Sequence, residues 1–99
     1  MIIVENTFEH INMDFGVSHG KRYGVDTSLQ SVTCILPTDI RPGFSVFFAD
    51  WSGTFGERNL VIKSSGGHTI NGSATSLVVD TSGDSIGLFW TGTTWRTYE

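Results

Sequence analysis

The sequence predicts an all-β protein: an antiparallel β-sandwich or barrel of about eight strands, with no long helix. Three observations lead there. Val, Ile, Thr, Phe and Trp dominate the structured stretches, whereas Ala, Glu and Lys are rare, a balance that favours strands over helices. Turn signals built on the 12 glycines recur along the chain, roughly every eight to twelve residues, as in small sandwiches and barrels. The tetrad Val-Asp-Thr-Ser also occurs twice, at Val25 to Ser28 and at Val79 to Ser82. Continued to Val32 and Ile86, the two octads agree at five of eight positions. Each copy reads as apolar residues, a short polar break and a β-branched run, the pattern of a β-hairpin.

The elements follow in order. A chain of 99 residues is one small domain with one core. Residues 1–19 read as an N-terminal arm or edge segment, and residues 20–99 as the single β domain. Met1 to Val4 are apolar and suit an arm that augments a neighbour's sheet edge. Around Phe8 to Met13 a short helical turn is expected, on poor caps. Lys21 to Asp26 reads as a strand. Leu29 to Leu36 is a strong strand that ends at Pro37-Thr38-Asp39.

Arg41-Pro42-Gly43 is a turn. In the strand that follows, Phe44, Val46 and Phe48 share one face and Phe47 takes the other. Asp50 to Gly56 is a loop rich in glycine and hydroxyls. Residues 59–63 form a strand with Leu60 and Ile62 on one face and Val61 on the other. Ser64-Ser-Gly-Gly67 is a turn, and Asn71-Gly72 is a favoured type I′ pair. Leu77 to Thr81 leads into the second tetrad. Ser85 to Thr91 and Thr94 to Tyr98 make a closing hairpin around Gly92-Thr93.

Composition narrows the chemistry. The formal net charge is −4 and the longest basic run is Lys21-Arg22, so electrostatic binding of nucleic acid is not expected. Cys34 is the only cysteine, and its strand context makes it a small core side chain instead of a reactive thiol. The first residues show neither a basic n-region nor a long apolar stretch, which predicts no signal peptide and no membrane span.

No catalytic, cofactor-binding or metal-binding residues are assigned. His10, His19 and His68 show no metal-ligand spacing, and nothing resembles an EF-hand. Asp26 and Asp80 precede the repeated turns and are expected to accept backbone N–H bonds two residues on, as Asx-turns. No Gly-x-Ser-x-Gly elbow exists. Ser64 to Gly67 lacks the Lys-Ser/Thr and the helix of a phosphate loop. Asn71-Gly-Ser73 fits the N-glycosylation pattern, here read as chance. Trp51, Trp90 and Trp95 are first packing residues, and otherwise a carbohydrate platform.

The ordered elements resemble a small β-rich structural module of tailed-bacteriophage virion proteins. The residues that carry the resemblance are Asp26-Thr-Ser28, Leu36-Pro37, Gly43 to Asp50, Gly53-Thr-Phe55 and Asn59-Leu-Val-Ile62. They continue as Thr69-Ile-Asn-Gly72, Leu77 to Asp80 and Gly92-Thr-Thr-Trp95. The match spans roughly residues 20 to 96 and leaves out residues 1–19.

The resemblance implies a non-enzymatic virion protein, made in the host cytoplasm and incorporated into the particle. It implies a homotrimer that binds other virion proteins, with no cofactor, no nucleic acid and no membrane. Length favours a capsid decoration (cement) protein. The alternative is a tail, collar or baseplate fibre or spike component, with receptor or glycan binding through the tryptophans.

Overall fold

The computed structural model describes residues 7–18 and 21–98. The expected arm at Met1 to Val4 lies outside the described residues, and so does His19. Nine strands are present among those described: β1 (Glu9–Ile11), β2 (Phe15–Gly16), β3 (Arg22–Val25), β4 (Val32–Ile35), β5 (Ser45–Asp50), β6 (Leu60–Lys63), β7 (Leu77–Val79), β8 (Ser85–Trp90) and β9 (Trp95–Tyr98). The described residues contain no helix, so none that is long and apolar enough to cross a membrane. The helical turn expected near Phe8 to Met13 is instead β1. Its residues pair with β3 from Glu9↔Tyr23 to Ile11↔Val25, and ladder bonds outweigh a helix without caps.

The strands form two mixed sheets, a five-stranded one in the order β1-β3-β5-β8-β9 and a four-stranded one in the order β2-β4-β6-β7. Among the described residues each sheet is an open row of strands, so neither closes into a barrel. The all-antiparallel expectation is also corrected. The pairs β1–β3, β3–β5, β2–β4 and β4–β6 are parallel. Antiparallel pairing is confined to β5–β8, β6–β7 and β8–β9.

The reason lies in the path of the chain. From β1 to β6 it alternates between the sheets, laying one strand in each before returning. A parallel neighbour requires a long crossover, and here the intervening strand of the other sheet supplies it. Strands β7 and β8 then run opposite to their neighbours β6 and β5, and β9 turns back antiparallel to β8.

This path changes the meaning of the repeated tetrad. Val25 to Ser28 carries the chain from β3 in one sheet to β4 in the other, and Val79 to Ser82 carries it back from β7 to β8. Both copies are crossings between sheets and neither is a hairpin. A polar break after a strand looks the same in sequence whichever sheet the chain enters next.

Other local expectations hold. Asn71 (φ 50°) and Gly72 (φ 80°) form the two-residue turn, closed by the reciprocal bonds Ile70 N–H to Ser73 O (2.8 Å) and Ser73 N–H to Ile70 O (2.9 Å). Gly43 (φ 95°) follows Pro42 in the turn closed by Phe44 N–H to Arg41 O (3.0 Å). Strands β8 and β9 form the closing hairpin, with Trp90 opposite Trp95.

The two sheets share one core. Tyr23, Val25, Val46, Phe48 and Leu88 enter it from the five-stranded sheet, and Val32, Cys34, Leu60, Ile62 and Val79 from the other. Phe15 bridges them, with ring centres 4.7 Å from Tyr23 and 6.4 Å from Phe48. Burial of Cys34 pushes its thiol pKa far up, as expected for a thiolate denied solvation.

Candidate functional site

Alternation along the strands decides which residues face out. Because Tyr23, Val25, Val46 and Phe48 point into the core, their neighbours Arg22, Gly24, Phe47 and Ala49 face outward. Register extends this outer face across the sheet. Gly24 lies between His10 and Ala49, Gly87 lies between Phe47 and Tyr98, and Phe89 is paired with Ser45 and Arg96.

These positions build a continuous aromatic band. Phe8 and Phe47 lie 6.2 Å apart, Phe47 and Tyr98 6.4 Å, and Tyr98 and Phe89 6.0 Å. The Arg22 guanidinium carbon sits 4.7 Å from the Phe8 ring centre and 5.3 Å from that of Phe47. That geometry is a double cation–π contact. Two glycines make room for the larger rings. The Tyr98 ring lies across Gly87, where a Cβ would collide with its Cζ, Cε1 and Cε2 atoms. Trp51 leans an edge of its six-membered ring on Gly24, where a Cβ would collide with Cε3 and come within 3.1 Å of Cζ3. Laying an aromatic over a strand glycine covers backbone that glycine would leave open.

At the Trp51 end, His10 packs against the indole with ring centres 4.7 Å apart. His10 Nε2 lies 2.8 Å from Asp26 Oδ2. Asp26 Oδ1 accepts the Ser28 N–H at 2.9 Å, so the Asx-turn expected at the first tetrad is present. The bond to His10 comes first among the causes that hold the Asp26 carboxyl well below the usual carboxylate range, followed by those to Ser28.

The second tetrad differs. Asp80 is exposed, and its carboxylate accepts no N–H group among the described residues. Its turn is held by two other groups. Ser82 Oγ accepts the Gly56 N–H at 2.9 Å, and Asp50 Oδ2 accepts the Gly83 N–H at 2.9 Å.

Asp50 is the residue that reading the sequence missed. Its Oδ1 accepts the N–H groups of Gly53 (2.9 Å) and Thr54 (3.1 Å), and its Oδ2 that of Phe55 (3.1 Å) besides Gly83. One carboxylate at the end of β5 thus ties its own crossing loop to the loop between β7 and β8. Thr27 joins the same end, its hydroxyl 2.7 Å from that of Thr54 and its carbonyl accepting Arg58 Nε–H at 2.6 Å. The available signal was a strand-terminal Asp followed by Ser-Gly-Thr, a local acceptor ahead of several unpaired donors.

The tryptophans separate. Trp95 and Trp90 are buried in the core, while Trp51 is 55% exposed. Only Trp51 of the three remains available to a ligand. His68 stacks on Trp90 with ring centres 4.2 Å apart. No group of three or more His, Cys, Asp or Glu side chains among the described residues is placed to hold a metal ion. No protein-family model matches this chain, and no curated protein does. The physical character of its surfaces is therefore what bears on function.

Proposed function

We propose that the chain is a bacteriophage virion structural protein, a capsid decoration protein built on two sheets packed as a sandwich. In this reading it assembles as a homotrimer and binds other virion proteins. The observation that carries it is the outer face of the four-stranded sheet. Val61 and Val78 are direct neighbours across β6 and β7, with Thr33 beside them on β4. Ile35 is half exposed next to Lys63, and Val78 is 48% exposed. A flat aliphatic face of this kind gains free energy when a second protein surface covers it. The ordered motifs between residues 26 and 95 support the same reading through their resemblance to the phage module.

Sedimentation velocity tests it. The wild type is expected to sediment with the mass of three chains of 10.8 kDa each, and Val78→Asp as a single chain. A wild type that stays monomeric at high concentration defeats the trimer. The alternative location, a tail, collar or baseplate component, differs in copy number.

A second reading rests on the other sheet. The aromatic band from Phe8 to Phe89, with the exposed Trp51 on the same face, supports receptor or glycan binding, because exposed rings take the apolar C–H face of a sugar. A glycan array probed with the purified chain tests it. An array without hits, together with Trp51 fluorescence that no saccharide alters, counts against it.

A further inference from the structure

The charges of the described residues are sorted between two ends of the molecule. Residues 12–14, 26–31, 51–59 and 80–84 meet at the crossing end. Hydrogen bonds tie them together, among them Thr33 N–H to Asp14 Oδ1 (2.9 Å), Arg58 Nε–H to Thr27 O (2.6 Å) and Gly83 N–H to Asp50 Oδ2 (2.9 Å). Asp14, Asp26, Asp50, Glu57, Asp80 and Asp84 lie in or beside these loops with one arginine, Arg58, a formal charge of −5. Asp14, Asp26, Asp50 and Asp84 accept backbone N–H groups, but a neutral donor leaves their charge in place.

The opposite end is built from residues 36–44, 64–76 and 91–94, joined by bonds such as Gly43 N–H to Trp90 O (2.7 Å) and Gly72 N–H to Thr94 Oγ1 (2.9 Å). At this end, which also holds the starts of β1, β3 and β9 and the end of β6, stand Lys21, Arg22, Arg41, Lys63 and Arg96. They face Glu9 and Asp39, a formal charge of +3. Lys21 is paired with Glu9, and Arg22 is engaged at the Phe8 and Phe47 rings. Arg41, Lys63 and Arg96 are exposed and paired with no carboxylate among the described residues.

Shape follows the same division. At the acidic end Met13 is 62% exposed and Leu29 89%, and with Asp26 they rim one hollow. Asp26 bonds His10, which packs on the exposed Trp51, so the three apolar side chains form one patch. Such a patch gains free energy when covered. The basic end carries a groove of about 560 Å³ lined by the run from Asp39 to Phe44. Ile40, Pro42 and Phe44 give it apolar walls, and Arg41 stands among them.

We propose that these two ends bind each other in different copies of the chain, with Leu29 and Met13 of one copy seated in the groove between Asp39 and Phe44 of the next. The carboxylates around the first patch then meet Arg41 and Arg96. Complementary charge selects this partner and its orientation. Two different patches of one chain make the contact, so it is heterologous and runs head to tail. It goes beyond the trimer reading, because it uses neither Val61 nor Val78 of the four-stranded sheet. Exposed charge pairs are individually weak, which makes this a millimolar contact between free chains. It becomes effective between copies already gathered side by side, where tethering raises the local concentration.

The test is NMR of the full chain carrying Val78→Asp, which silences the contact proposed for the four-stranded sheet. At millimolar concentration this parent should show concentration-dependent amide shifts at both ends. Raising salt from about 50 mM to about 0.5 M should weaken the association about tenfold, as the Debye length shrinks below the reach of facing charges. Glu57→Lys with Asp80→Lys spoils the acidic end, and Arg41→Glu with Arg96→Glu spoils the basic end. Each double variant alone should stay monomeric. Mixed, they should form a pair of two chains of 10.8 kDa each and nothing longer. Labelling the first should show shifts at residues 39–44, and labelling the second at residues 26–31 and 80–84. Leu29→Ser keeps every charge and should weaken the parent's association about tenfold. Dispersed amide spectra establish that each variant is folded, and the parent's salt dependence needs no charge variant.

A mixture that stays monomeric overturns the head-to-tail contact, and so does association that survives in either double variant alone or ignores salt. Wild-type trimers with silent ends overturn this contact and keep the trimer. End contacts in a wild type that forms no trimer do the reverse.

Discussion

Removing the Asp50 carboxylate should loosen the end of the molecule where the chain crosses between sheets. Asp50 accepts four backbone N–H groups, from Gly53, Thr54, Phe55 and Gly83. In Asp50→Ala, water can reach the donors of Gly53 and Gly83, whose bonds are exposed. The Thr54 and Phe55 donors are partly buried, and each left unsatisfied costs about 1–3 kcal/mol. The sum is about 2–6 kcal/mol, a large share of the roughly 5–15 kcal/mol that holds a small domain together. Asp50→Asn keeps one carbonyl oxygen but turns an amide NH2 toward two N–H donors. It should therefore recover no more than about half of the loss. Urea unfolding followed by tryptophan fluorescence measures both variants, with a lower midpoint at unchanged slope as the expected result. Asp80→Ala is the internal control and should shift stability by less than about 0.5 kcal/mol. If Asp50→Ala also falls within about 0.5 kcal/mol, the carboxylate does not hold the crossing and the reasoning fails.

Three further outcomes follow from the same geometry. The Asp26 carboxyl is held below its usual range, chiefly by His10, so its contribution is present above about pH 4 and lost as pH falls below that. Melting temperatures of wild type and Asp26→Asn should converge in strong acid and separate above about pH 4, by a small amount because the pair is at the surface; parallel curves would sink the assignment. Gly24→Ala should make Trp51 more accessible to acrylamide at little cost in stability, since the Cβ meets a movable side chain, and unchanged quenching would show that Trp51 does not rest there. Cys34 should resist thiol reagents in the native protein at mildly alkaline pH and react only on unfolding, because burial disfavours its thiolate; rapid native labelling would contradict its place in the core.

Local structure was legible wherever a short stretch of sequence carried its own cause. The alternation of Val46 and Phe48 against Phe47, and of Leu60 and Ile62 against Val61, assigns faces with no knowledge of the partner strand. Asn71-Gly72 and Pro42-Gly43 assign turns because few other residues adopt those backbone angles. Partnership between distant segments was not legible. Val25-Asp-Thr-Ser28 ends a strand, but nothing in it says whether the next strand joins the same sheet, and here it joins the other. The parallel pairing of β3 with β5 follows from that choice.

The candidate site was hidden for the same reason. Phe8, Arg22, Phe47, Gly87 and Tyr98 belong to five different strands or approaches and become neighbours only through register. Trp51 could be singled out by its glycine-flanked loop, but its exposure, and the burial of Trp90 and Trp95, depend on tertiary packing. Asp50 looked like one scattered aspartate because its fourth donor, Gly83, is far along the chain.

The proposed role as a virion structural protein is tested most directly by quantitative mass spectrometry of purified phage particles from a host expressing this chain. The account predicts the protein in intact particles at hundreds of copies, the stoichiometry of a capsid decoration protein, whereas tens or fewer would move it to the tail. Particles that contain none of it, while the free protein is abundant in the same lysate, would contradict the proposal.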